Sequence, residues 1–249
     1  MIILKSPAEI ALMRTANLIV VEVMEAIRER LAPGVTTAAL DRMAEEAIRR
    51  RGAAPAFKGY LGYRHTLCTS VNDVVVHGIP GDTPLRDGDI VSIDCGVRYQ
   101  GFHGDHARTF VVGRMPPPQA ARLLEVTEAA LERGIARMRT GHRLFDISAA
   151  IQQHVEAAGF SIVRDYVGHG VGQALHEEPQ VPNFGVAGTG PKLLPGMVLA
   201  IEPMVNVGTA QVRLLPDGWT VVTADGALSA HFEHSVAVTD AEPYVLSKA

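Results

Sequence analysis

Two stretches of the sequence are near-copies of each other, and each ends in a carboxylate. They are Leu85-Arg86-Asp87-Gly88-Asp89-Ile90-Val91-Ser92-Ile93-Asp94 and Leu193-Leu194-Pro195-Gly196-Met197-Val198-Leu199-Ala200-Ile201-Glu202. In both, a turn glycine opens an apolar strand and an acid follows six residues after it. An ionised acid at the end of a buried strand is unfavourable unless a cation meets it. Asp105 stands eleven residues past Asp94, in Gly104-Asp105-His106-Ala107, and Glu233 follows Glu202 in His231-Phe232-Glu233-His234. Four carboxylates gathered in one place cannot all stay ionised unaided. A pair of divalent cations reverses that balance, so the pattern points to a cation site shared between two related halves. His169 lies among the glycines of Gly168-His169-Gly170-Val171-Gly172 and offers a nitrogen donor on what reads as a tight loop, open to close approach by an ion. Each half also carries one His-x-x-Pro, at His77-Gly78-Ile79-Pro80 and at His176-Glu177-Glu178-Pro179.

The elements that must hold these side chains repeat as well. Gly34 and Gly52 are 18 residues apart, as are Gly141 and Gly159. Between the members of each pair the apolar residues match, Leu40 with Ile147, Ala44 with Ile151 and Ile48 with Val155, at the spacing of an amphipathic helix closed by glycine. Further helices are expected over 7–31 and 117–138, each with proline near its start. Strands are expected at 66–71, 89–97, 105–112, 197–203, 207–215, 218–223 and 230–238. Tyr99-Gln100-Gly101-Phe102 reads as a hairpin turn that would fold Asp105 back beside Asp94. The repeat period exceeds a hundred residues, which indicates a duplication and not a solenoid. Runs of helices and of mainly antiparallel strands give an α+β fold, helices outside a curved sheet. We expect one catalytic domain over 1–249, with halves at about 7–115 and 117–240 joined at Pro116-Pro117-Pro118.

Whole-chain properties narrow the function classes. The chain has 249 residues, 47% hydrophobic and 20% charged, with a formal net charge of -4. No strong positive field favours nucleic acid or an anionic membrane. Arg49-Arg50-Arg51 reads as the solvated end of a helix. Cys68 and Cys95 are the only cysteines, both in apolar strand-like runs. They read as buried free thiols in a reducing compartment, and no signal or spanning segment is legible, so a cytoplasmic protein is expected.

Taken together, Asp94, Asp105, His169, Glu202 and Glu233, with His77-Gly78-Ile79-Pro80, Gly168-His169-Gly170 and Ile201-Glu202-Pro203, resemble a type I methionine aminopeptidase of the short bacterial form. The resemblance spans essentially the whole chain. It implies the pita-bread fold of two related halves and hydrolytic removal of N-terminal methionine from nascent proteins whose second residue is small. It also implies two divalent ions, with Co, Mn or Fe favoured by an oxygen-rich ligand set and Zn as a further option. By the same resemblance, Asp94 holds one ion, His169 and Glu202 hold the other, and Asp105 and Glu233 bridge both. His176 would help the ions hold the oxyanion, His77 would contact the peptide nitrogen, and Glu202 would carry a proton to the departing amine. Tyr60, Tyr63, Cys68 and Trp219 match the pocket for the methionine side chain. A monomer that meets emerging chains near the ribosomal exit tunnel is the expected setting.

Three positions depart from that family. Leu175 precedes His176 where bacterial relatives place an aromatic residue. Gly96 stands two residues beyond Asp94 where many have threonine, and His231 stands two before Glu233 where glutamine is common. Two other functions share the pattern: a proline-specific peptidase of the prolidase or aminopeptidase P kind, and a non-enzymatic binder on the same fold. The former carry a large N-terminal domain, for which a helix starting near Pro7 leaves no room; the latter should lack a ligand. The second type of methionine aminopeptidase carries an insert between its last two acids, whereas Glu233 lies 31 positions beyond Glu202 here. His65, His142 and His154 read as ordinary surface or core residues with no partner acid in the pattern. Strand alternation turns His106 and His234 away from the acids beside them and puts His231 on the face of Glu233.

Overall fold

A computed structural model describes residues 1–114 and 116–248 of the chain. The half-boundary expected at 115 and the terminal residue 249 therefore lie outside the described residues. In chain order the elements are α1 (Pro7–Arg30), α2 (Thr37–Arg50), β1 (Ala54–Pro55), a 3-10 turn at Tyr60–Gly62, β2 (Leu67–Val71), β3 (Val74–Val76), β4 (Ile90–Tyr99) and β5 (Phe102–Val111). The second half continues with α3 (Pro118–Ile135), α4 (Leu144–Ala157), β6 (Ser161–Ile162), β7 (Gly168–Gly170), β8 (Glu177–Val181), β9 (Val198–Ile201) and β10 (Met204–Asn206). It closes with β11 (Val212–Leu214), β12 (Val221–Thr223), β13 (Ser229–His231), β14 (His234–Ala237) and β15 (Tyr244–Val245).

Local chemistry explains the frame. The Ser6 hydroxyl accepts from Glu9 N while the Glu9 carboxylate accepts from Ser6 N, a reciprocal cap that starts α1 with Pro7 in its first turn. Ala16, Ile19, Val20, Val23 and Ile27 recur at helical spacing and are buried, with Val91, Ile93, Cys95 and Val97 of β4 in the same region of the molecule. A second core gathers Leu123, Leu131, Ile147, Ile151 and Val155 from α3 and α4 with Leu199, Ile201 and Val236 from the second sheet. Gly88 and Gly196, the turn glycines of the duplicated stretch, share left-handed backbone at φ +87 and +89. The same strained turn thus launches β4 and β9, where a side chain would be disfavoured.

Every pairing in the described sheets is antiparallel. In one sheet β4 pairs with β5 on one side and with β1 and β2 on the other. In another the order is β15-β14-β9-β7-β8. Tyr99 pairs with Phe102 across the two-residue turn Gln100-Gly101, both with positive φ, as a tight hairpin requires. The two sheets are stitched at the centre: Glu233 N donates to Ala107 O at 2.8 Å, and Ser235 Oγ donates to Asp105 O at 2.8 Å. The result is the α+β arrangement of helices over mainly antiparallel sheet. Gly168-His169-Gly170, read above as a loop, is instead a strand. A Cβ at Gly168 would sit 2.3 Å from Ala200 O and one at Gly170 2.4 Å from Glu178 O. The glycines serve close packing of β7 between β8 and β9. None of the described helices is long and apolar enough to cross a membrane.

Candidate active site

Strand register decides which acids share a face. Gly96 pairs with Asp105, so Asp105 and Asp94, two residues from Gly96, project from the same side of the β4–β5 ladder. His169 pairs with Ala200, two residues before Glu202, and His234 pairs with Ile201, which brings Glu233 level with Glu202. All five side chains line one cavity of about 190 Å³, together with His77 and His176. Asp105, His169 and Glu233 each offer a ligand atom within 4.8 Å of the others. His169 Nε2 is 3.5 Å from Glu202 Oε1 and 3.8 Å from Asp105 Oδ2. On the other edge of that ring, Nδ1 lies 2.9 Å from Gly170 O, so Nδ1 carries the proton and Nε2 is left with its lone pair toward the acids.

The electrostatics are those of a site built for cations. Buried oxygens on three of the acids, Asp94 Oδ1, Asp105 Oδ1 and Glu233 Oε1, have no hydrogen-bond partner. Withdrawal from water pushes Asp94 up to about 7 and Glu202 up to about 8. Burial and the neighbouring acids push Asp105 and Glu233 well above the carboxylate range. Orphaned acceptors of one sign crowded in a cavity are what divalent ions satisfy, so the residues fit such ions. Burial lowers His169 to about 3 and His77 to about 4, and both rings are neutral near pH 7. Asn17 of α1 helps fix the geometry, its Oδ1 accepting from Asp105 N at 3.3 Å.

The apolar end of the cavity is formed by Phe57, Tyr63, Cys68 and Leu175, flanked by Tyr60 and Trp219. Tyr63 meets Trp219 edge-on at 4.9 Å between ring centroids, and its hydroxyl donates to Leu67 O at 2.8 Å. Tyr60 does more than line the wall: its hydroxyl is 2.7 Å from His176 Nδ1. Phe57 was not legible as a wall residue. The signal was Gly96, because a Cβ there would stand 2.5 Å from Phe57 Cε1, and the ring fills the space a larger residue would take.

Residues 11–240 match metallopeptidase family M24. The chain belongs to that family. Methionine aminopeptidase from Clostridium perfringens is 56% identical over 99% of both chains, and methionine aminopeptidase 1 from Bacillus subtilis is 52% identical over 96% of both. The crystal structure of methionine aminopeptidase from Thermotoga maritima superimposes with a TM-score of 0.98 at 45% identity, each chain fully covered. The pita-bread fold and the metallopeptidase class of this M24 chain follow.

Other histidines fall outside the cavity or at its back. His65 Nδ1 lies 3.7 Å from Asp41 Oδ2 and His142 Nδ1 3.5 Å from Asp146 Oδ2, so both have an acid partner, contrary to expectation, and that of His142 stands only four residues further along the chain. His106 and His234 face away from the acids and stack on each other at 4.7 Å. Glu177 forms a buried ion pair with Lys5 at 2.5 Å.

Proposed function

We propose that this M24 chain removes N-terminal methionine from polypeptides by metal-assisted hydrolysis, with two divalent ions held between its halves. The reading is carried by the unpartnered carboxylate oxygens of Asp94, Asp105 and Glu233, in one cavity with the free Nε2 of His169. Asp94 would hold one ion, His169 and Glu202 the other, and Asp105 and Glu233 both. Four carboxylates and one imidazole suit Co, Mn or Fe, with Zn a further candidate. When bound, the ions polarise the scissile carbonyl and ready a water for attack.

The chain's own residues do the rest. Tyr60 donates to His176 Nδ1, which leaves the opposite nitrogen to donate to the carbonyl oxygen as charge gathers there. His77, neutral through burial, contacts the peptide nitrogen. Glu202 passes a proton to the departing amine. The methionine side chain enters between Phe57, Tyr63, Cys68, Leu175 and Trp219, where aromatic edges accept a thioether. Substrates would be the N-terminal peptides of emerging chains with a small second residue, met near the ribosomal exit tunnel by a cytoplasmic monomer.

A peptide assay with added Co, Mn, Fe or Zn tests this. Methionine should be released from Met-Ala peptides and lost on chelation. Cleavage of X-Pro peptides with no release from Met-Ala would turn the assignment to the proline-specific relatives. Inertness towards both, with no divalent ion bound at any concentration, would turn it to the non-enzymatic binder.

A further inference from the structure

His231 is 2% exposed, and its Nε2 has no hydrogen-bond partner. That nitrogen lies 3.5 Å from Glu202 Oε2, while His169 Nε2 lies 3.5 Å from Glu202 Oε1. The Glu202 carboxylate thus sits between two imidazoles, one at each oxygen. Its backbone is held separately, by Asn183 Nδ2 donating to Glu202 O at 3.0 Å.

The backbone of His231 is clamped from the opposite half. Thr109 Oγ1 donates to His231 O at 2.9 Å and accepts from His231 N at 2.9 Å. With the Thr109 proton so committed, Ser92 must donate to Thr109 Oγ1 across 2.8 Å. Ser92 lies on β4, two residues before Asp94, and so ties the His231 position to the strand that delivers the first acid. Register with Met204 adds a second constraint from the segment just after Glu202. A residue whose backbone is held this firmly, with a buried polar ring atom near one carboxylate oxygen, has a defined target.

We infer that His231 is a positioning residue for Glu202: its Nε2–H donates to Oε2 and turns Oε1 toward the ion shared with His169. This rests on the proposed metal role of Glu202 and goes further, since it assigns the imidazole that replaces the usual glutamine. A lone pair at Nε2 would repel the carboxylate, so the proton belongs on that nitrogen. A closing of about 0.6–0.8 Å brings the pair, now 3.5 Å apart, to the ~2.7–2.9 Å of a hydrogen bond to an ionised acceptor. Partners one step behind a metal ligand are worth about 10–100-fold in metal affinity.

The test is Co(II) titration of the metal-stripped protein, read by visible absorption, for wild type, H231Q, H231A and H231F. H231A and H231F should bind the tighter ion about 10–100-fold more weakly, and H231Q, whose amide can also donate, should recover most of the loss. H231F fills the volume without a donor, so its comparison with H231Q stands even if H231A fails to fold. On Met-Ala peptides the loss should fall on kcat more than on KM. Equal affinity in wild type and H231F, or H231Q as weak as H231F, overturns the assignment. If the wild-type chain binds no Co(II), the metal reading of Glu202 itself fails, and this inference with it.

Discussion

Tyr60 Oη lies 2.7 Å from Nδ1 of His176, and that contact decides which ring nitrogen can meet a substrate. A phenol donates readily and an imidazole nitrogen accepts readily, so the proton between them belongs to Tyr60 and the ring's own proton to Nε2. Y60F should therefore lower kcat on Met-Ala peptides by roughly tenfold, in keeping with a net hydrogen bond of about 1–1.5 kcal/mol. H176A should lower it further, by about 100- to 1,000-fold, as loss of one oxyanion donor does. Steady-state kinetics with full metal supply checks both. An unchanged kcat in either variant removes that residue from its role.

Metal removal should make stability fall as pH rises. Asp94 and Glu202 are raised to about 7 and about 8 in the folded chain, against ordinary carboxylate values near ~4 once unfolded. Between those limits the folded chain holds protons that the unfolded chain has released, so the unfolding free energy decreases with pH. Chelator-treated protein should lose Tm steadily from about pH 5 to pH 8. Divalent ions should restore it most at the upper end, because they replace protons at the same oxygens. A Tm that rises with pH after chelation would contradict this.

The space beside Gly96 is already occupied. A Cβ would meet Phe57 Cε1 at 2.5 Å and Ala56 Cβ at 3.0 Å, so G96T displaces the aromatic wall. Overpacking of this kind typically costs about 1–3 kcal/mol. Thermal melts should show the loss, and F57A in the same chain should relieve part of it. A stable G96T with unaltered KM for methionine peptides would show that Phe57 moves freely.

The Lys5–Glu177 pair joins the N-terminal segment to the strand that follows His176. Both side chains are buried, at 4% and 7% exposure, and Glu177 Oε1 also accepts from Ala174 N at 3.2 Å. K5M leaves an unpaired carboxylate, and breaking such a pair costs about 3–5 kcal/mol. Denaturant melts check this; a midpoint within error of wild type would show that water already solvates Glu177.

The long elements were legible because their patterns are physical requirements. Glycines at 34, 52, 141 and 159 bracket α2 and α4, and the turn at Gln100-Gly101 fixed the β4–β5 hairpin. Alternation along β5 correctly turned His106 away from the cavity. The short strands were not legible. β7 contains two glycines and no β-branched residue, so only the closeness of Ala200 O and Glu178 O explains it as a strand. The single strand expected over 207–215 reduces to Val212–Leu214, with the preceding strand at Met204–Asn206. Phe57 and the acid partner of His65 depend on tertiary approach, which no local spacing encodes, whereas Asp146 stands only four residues after His142.

The central claim is that Asp94, Asp105, His169, Glu202 and Glu233 together hold two divalent ions. Anomalous diffraction from crystals grown with Mn or Co tests it most directly. The account predicts two peaks about 3.5–4 Å apart, both within bonding distance of Asp105 and Glu233, with His169 and Glu202 on one and Asp94 on the other. Peaks away from these five side chains, or none at saturating metal, would contradict it.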